Sequence, residues 1–147
     1  MKYKLSQEVL KFSVNKEDIE LAKREWKFVY LYQKESYCLC GKAIVNCCVM
    51  ENVHTREQIV VGNECVTKFK GDDFSKIFNE LNKIRKDVDK KFKNRTLDFF
   101  YKRGLLNETE FNFYKQMLEW KKMTFKQKLW LNRLNTMLLE KINRQSE

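Results

Sequence analysis

Residues 38–65 read CLCGKAIVNCCVMENVHTREQIVVGNEC, and this stretch holds every cysteine of the 147-residue chain. Cys38-Leu39-Cys40-Gly41 is a tight knuckle. Two thiolates one residue apart can face the same ion, and Gly41 lets the backbone turn sharply behind them. The runs from Ala43 to Met50 and from Gln58 to Val61 are apolar and rich in Val, Ile and Cys. The turn-forming stretch Asn52 to Arg56 separates them, so the pattern predicts a β-hairpin. Gly62 and Asn63 then turn the chain, and Cys65 opens a short helix, Val66 to Phe69, that ends near Gly71. The dipole of that helix start favours a thiolate. Knuckle, hairpin and helix start can thus converge on one metal ion held by Cys38, Cys40 and Cys65.

A closed structural zinc site requires a fourth donor. The sequence offers Cys48, Cys47 and His54, in that order. Adjacent side chains on a strand face opposite ways, so only one of Cys47 and Cys48 can point at the ion, and the other is an ordinary buried thiol. His54 falls in the turn, far along the hairpin from the knuckle. An odd number of cysteines, four of them crowded between Cys38 and Cys48, suits reduced thiols and a metal better than a disulfide framework. That expectation places the protein in an intracellular, reducing compartment. Met1 to Asp18 has no continuous apolar run of the kind a signal peptide needs, and no stretch is long enough to span a bilayer.

N-terminal to the knuckle, a short extended lead is followed by Asn15 with an acid, Asp18, three residues on, which marks a helix start. Ile19, Ala22, Trp26, Val29 and Tyr30 recur at helical spacing and predict a helix to about Gln33. C-terminal to it the pattern is helical throughout. Ile77, Leu81, Ile84, Val88 and Phe92 mark one face of a long basic helix. Asn107 with Glu110 and Thr124 with Gln127 are capping boxes that start two more, carrying Phe111, Tyr114 and Leu118, and then Leu131, Leu134, Leu138 and Ile142. The aromatic residues of these helices, Trp120 and Trp130 included, are expected in the core. The whole is a mainly α, α+β chain with a small hairpin. Residues 1–71 form the N-terminal helix and metal module, and residues 72–147 form a basic helical region packed on it.

Thirty Lys and Arg against twenty Asp and Glu leave a formal charge of +10, and such a surplus attracts polyanions, nucleic acid first among them. Lys83, Arg85, Lys86, Lys90, Lys91, Lys93 and Arg95 surround the apolar stripe of the long helix, and Lys121 and Lys122 extend the basic character near the last helix start. Such a helix can lay its apolar stripe on the core and its basic face along phosphates. An acidic protein partner is the alternative occupant, and the consecutive Phe99, Phe100 and Tyr101, which cannot all face one core, keep it open.

No catalytic apparatus is recognisable. The sequence has a single His, no phosphate-binding glycine loop and no nucleophile elbow or metalloprotease signature. The His-x-Glu and Cys-x-x-Cys pairs of a zinc deaminase are missing. The paired acids Glu108 and Glu110, and Asp72 and Asp73, sit at expected helix starts, where carboxylates stabilise the dipole. A nuclease built on scattered carboxylates and Mg²⁺ is the catalytic alternative that remains.

The run Cys38-Leu39-Cys40-Gly41, Ile44, Glu51-Asn52, Thr55, Val61-Gly62, Cys65 and Phe69 resembles a small zinc-binding module of bacteriophages, large DNA viruses and mobile elements. Its pattern reads C-x-C-G, an apolar strand, Asn-x-x-Thr-Gly, Val-Gly-x-x-Cys and Phe, in an order similar to treble-clef zinc fingers. The resemblance covers roughly residues 20–70, with Ala22, Glu25 and Trp26 fitting the segment that leads into the module. Arg56 stands where the pattern has Gly, and Lys42 stands where some members carry His. The resemblance implies structural zinc in an accessory protein acting on nucleic acid in the host cytoplasm.

Overall fold

Trp26–Tyr37, expected as the last turns of a helix and the segment after it, is a β-strand. The computed structural model describes residues 3–71 and 73–145, in an α+β arrangement divided into two compact units, Met1–Phe74 and Ser75–Glu147. Asp72, expected at a helix start, lies outside the described residues. Asp73 precedes its helix, and its carboxylate accepts from Asn63 Nδ2 at 3.2 Å.

In the first unit, α1 (Tyr3–Phe12) replaces the expected extended lead and α2 (Ile19–Lys23) is a single short turn of helix. Asp18, not Asn15, caps α2, accepting from the amides of Glu20 and Leu21. Asn15 instead accepts from the amides of Glu17 and Asp18, a side-chain turn that competes with helix. The chain then enters β1 (Trp26–Tyr37), pairs antiparallel with β2 (Ala43–Asn52), and returns through β3 (Gln58–Gly62), giving the order β1-β2-β3. The β2–β3 hairpin and the helix after it, α3 (Asn63–Lys70) closed by Gly71 at φ +81°, follow the sequence expectation. The expected helix gave way because WKFVYLYQ is aromatic and β-branched, a composition suited to a pleated, half-buried surface, and β2 supplies its backbone partners. The register shifts between Phe28 and Tyr30 and between Gln33 and Ser36, while in the regular stretch between them Leu31, Tyr32 and Gln33 are buried in succession, so both faces of the strand are covered there.

The buried Trp26 ties this sheet to α1, its indole N–H donating to Ser13 Oγ at 2.8 Å while Ser13 donates to the Val9 carbonyl. Glu25, also buried, accepts from the amides of Val14 and Asn15 and from Asn52 Nδ2. Burial would raise its pKa, but these donors outweigh it and hold the carboxyl below the usual range. The other side of the Asn52 amide accepts from the amides of His54 and Thr55 and so shapes the hairpin turn.

That turn places Arg56 at φ +68°, alone in the left-handed region among the described non-glycine residues. Glycine adopts this conformation without steric cost. Arg56→Gly should therefore stabilise the protein by about 0.5–1 kcal/mol, after the entropic cost of the added glycine, and raise the melting temperature by about 2–4 °C. The exposed Arg56–Glu51 pair at 3.5 Å offsets little of this. A lower melting temperature in a calorimetric scan would show that the turn is not strained.

In the second unit α4 (Ser75–Lys86) and α5 (Asn94–Lys102) correct the expected single helix through Phe92. Asp87 turns the chain, its carboxylate accepting from the Asp89 amide. Asn135, wholly buried on α7 (Phe125–Arg144), donates to the carbonyls of Val88 and Lys90 at 2.8 and 2.7 Å. Tyr114 of α6 (Glu108–Met117) donates to Asn135 Oδ1 and accepts from the Phe92 amide, and buried Glu80 accepts from the Lys93 amide and the Thr96 hydroxyl. These side chains bind backbone groups that a continuous helix would have used itself. Both capping boxes are present as expected, at Asn107–Glu110 and Thr124–Gln127. Leu131, Leu138 and Ile142 are buried and Leu134 is half-buried. Trp120 and Trp130 are only half-buried, a correction to their expected place in the core. No described helix is long and apolar enough to cross a membrane.

Candidate metal centre and basic surface

The knuckle is built by short backbone bonds. The amide of Cys38 donates to the Lys42 carbonyl, that of Gly41 to the Cys38 carbonyl at 2.7 Å, and that of Leu39 to the Val60 carbonyl on β3. Gly41 sits at φ +92°, which a side chain would strain. Gly62 lies so close to Ile44 that an added Cβ would stand 3.0 Å from its Cγ2, which brings the start of α3 against β2. These two glycines let Cys38 and Cys40 meet Cys65.

The three sulfurs all lie within 4.8 Å of one another, and Cys65 Sγ is 3.6 Å from Cys40 Sγ. Tetrahedral zinc with bonds of about 2.3 Å separates its sulfurs by roughly 3.8 Å, so the cluster can hold a metal ion with little movement. Burial, reinforced by the neighbouring Cys38 and Cys40 thiols, pushes the Cys65 thiol up to about 12. A bound cation reverses that balance, because thiols crowded together lose their protons readily only to a metal. The sulfurs border a hollow of about 190 Å³ whose other walls include Lys42, Asn46, Asn63 and Glu64.

Cys47, Cys48 and His54 are not in this cluster among the described residues. Cys48 is fully buried opposite Leu31 and Val61, and burial raises its pKa strongly. The Cys47 thiol lies 3.4 Å from the Lys34 carbonyl. His54 occupies the exposed turn. Glu64, a wall of the hollow next to Cys65, was not singled out from the sequence, although its position beside a ligand at a helix start was a signal for it.

The basic residues do not share one helical stripe. Lys83, Arg85 and Lys86 end α4, Lys90, Lys91 and Lys93 lie in the turn, and Arg95 is in the first turn of α5. Lys83, Lys90, Lys91 and Lys93 instead line a hollow of about 260 Å³ with Glu80 and Ile84. Arg85 donates to Asn143 on α7 at 3.4 Å, and its guanidinium pKa is lowered by burial. Lys91 donates to the Trp120 carbonyl at 2.7 Å. Lys121 and Lys122 are exposed in the connection to α7. Of the aromatic run, Phe100 is buried, Phe99 lies under Arg103 and Tyr101 stacks on Phe111 at 4.3 Å. Phe125, the first residue of α7, sits six residues before Leu131 and so off the apolar stripe of that helix, and it is exposed. No family model matches the chain, and no curated protein or solved structure matches it.

Proposed function

We propose that the protein is a zinc-stabilised, non-catalytic accessory factor of a virus, phage or mobile element that binds nucleic acid through its basic helical unit. Zinc suits three soft thiolates, and the order of knuckle, hairpin and helix is that of a treble-clef finger. The observation that carries the nucleic-acid reading is the hollow at the α4–α5 turn, which four lysines, Lys83, Lys90, Lys91 and Lys93, line together with Glu80 and Ile84. Such a group neutralises neighbouring phosphates and releases their counterions.

Labelled DNA and RNA, single-stranded and duplex, should bind with an affinity that falls steeply with salt. The exposed Lys86, Lys90 and Lys93, changed together to Gln, should weaken binding and reduce the slope of log affinity against log salt by up to about 3. Unchanged affinity in this variant at moderate salt would remove Lys90 and Lys93, and with them the exposed rim of the turn, from the interface. A protein partner is the second reading, favoured by Tyr37 and Val45, which are 73% and 53% exposed beside a hollow at the end of the β1–β2 hairpin. Absence of any nucleic-acid binding at low salt would transfer the function to that face.

A further inference from the structure

The start of α7 carries an aromatic surface that phosphate binding does not use. The buried side of α7 runs through Leu131, Leu138 and Ile142, and Phe125 lies off it, 81% exposed. Leu129, one turn further on the same side, is 40% exposed. Elsewhere in the same unit the half-buried indoles of Trp120 and Trp130 meet Phe113, with ring centres 6.1 and 5.6 Å away. Lys126 Nζ stands 5.4 Å from the centre of the Trp130 ring. Lys121, Lys122, Lys126 and Lys128 are all exposed around this group, and Glu119 is the one acid between residues 118 and 133. The bond from Lys91 to the Trp120 carbonyl joins the α4–α5 turn to the same surface.

We propose that this face is a stacking site for single-stranded nucleic acid, with the exposed Phe125 ring taking a base and the surrounding lysines taking phosphates. The proposal rests on the nucleic-acid reading above and names its substrate class. The charge selects a polyanion, because an apolar protein surface laid on Phe125 would strip water from four lysines without pairing them. The rings select unpaired bases, because a duplex hides its base faces in the stack and leaves nothing planar to lie on Phe125. Stacking of this kind tolerates any sequence, since every base offers a π face.

The test compares the full chain with its Phe125→Ala variant, using labelled 20-nucleotide poly-dT, a 20-base-pair duplex and phosphatidylserine vesicles at one salt concentration. Phe125 is exposed, so the variant should melt with the parent. Its affinity for poly-dT should fall roughly 5- to 150-fold while duplex affinity stays within about twofold. Quenching of tryptophan fluorescence by poly-dT should accompany parental binding. Equal loss on both nucleic acids, or none on either, overturns the stacking site. If the parent binds both and only the Lys86, Lys90 and Lys93 variant is impaired, the nucleic-acid reading survives and this inference fails. A parent that binds neither nucleic acid overturns both, and Phe125-dependent binding to vesicles alone assigns the face to anionic lipid.

Discussion

Changing Cys38 and Cys40 together to Ser is expected to abolish metal binding and to cost the protein about 4 kcal/mol or more at micromolar free zinc. A ligand that binds only the folded state stabilises by about 4 kcal/mol at a thousandfold excess over its dissociation constant, and structural zinc sites bind more tightly than that requires. The knuckle meets β3 through the Leu39–Val60 bond and the start of α3 through the three sulfurs and the exposed Lys42–Glu64 pair at 3.5 Å, which is worth little. Without the ion, the thiols lose the group that draws them together. Native mass spectrometry should find one zinc in the parent and none in the variant, with a matching fall in melting temperature. Chelation of the parent should reproduce the loss. His54→Ala should keep its zinc, because His54 lies in the exposed hairpin turn. A metal-free Cys38 and Cys40 variant that folds and melts like the parent would overturn the metal centre. X-ray absorption would count the sulfurs and so decide the fourth donor.

Replacing Asn135 with Leu, a side chain of similar size, is expected to destabilise the protein by about 3–5 kcal/mol and to lower its melting temperature by at least about 10 °C. The carbonyls of Val88 and Lys90 lose their donor, and the Tyr114 hydroxyl loses its acceptor inside the core. Unpaired buried groups cost more than a hydrogen bond contributes when made. Tyr114→Phe should cost somewhat less, about 2–3 kcal/mol: Asn135 keeps its two backbone carbonyls, but the Phe92 amide loses its acceptor and Asn135 Oδ1 its donor. Hydrogen exchange should show faster opening at residues 88–93 in the Asn135 variant, loosening the lysines of the α4–α5 hollow. A loss below about 1 kcal/mol would mean that the turn is held by the packing of Phe92 and Ile84 and not by the buried amide.

The two outcomes bear on what was legible in the residues. Cys38, Cys40 and Cys65 were identified from spacing because each lies at a turn that local chemistry specifies: Gly41 behind the knuckle and Gly62 before the helix. The expected fourth donor was not, because alternation on β2 separates Cys47 from Cys48 without fixing how far either stands from the knuckle, and neither lies with the three sulfurs. The run of basic residues was visible, but its arrangement was not. Ile84, Val88 and Phe92 keep helical spacing even though the helix stops at Lys86.

By itself the sequence determined the elements whose defining bonds join residues a few positions apart. These are the hairpin about Asn52, α3 closed by Gly71, the capped starts of α6 and α7, and the knuckle turn at Gly41. The tertiary structure decided everything whose backbone partners come from elsewhere in the chain. Trp26–Tyr37 is a strand because β2 supplies its hydrogen bonds, although its apolar spacing also suits a helix. The helix after Ser75 breaks because Asn135, more than forty residues on, captures the carbonyls at the break. Local spacing records which face a segment would bury. Only the fold supplies the distant groups that satisfy its backbone, and where spacing allowed two conformations those groups chose between them.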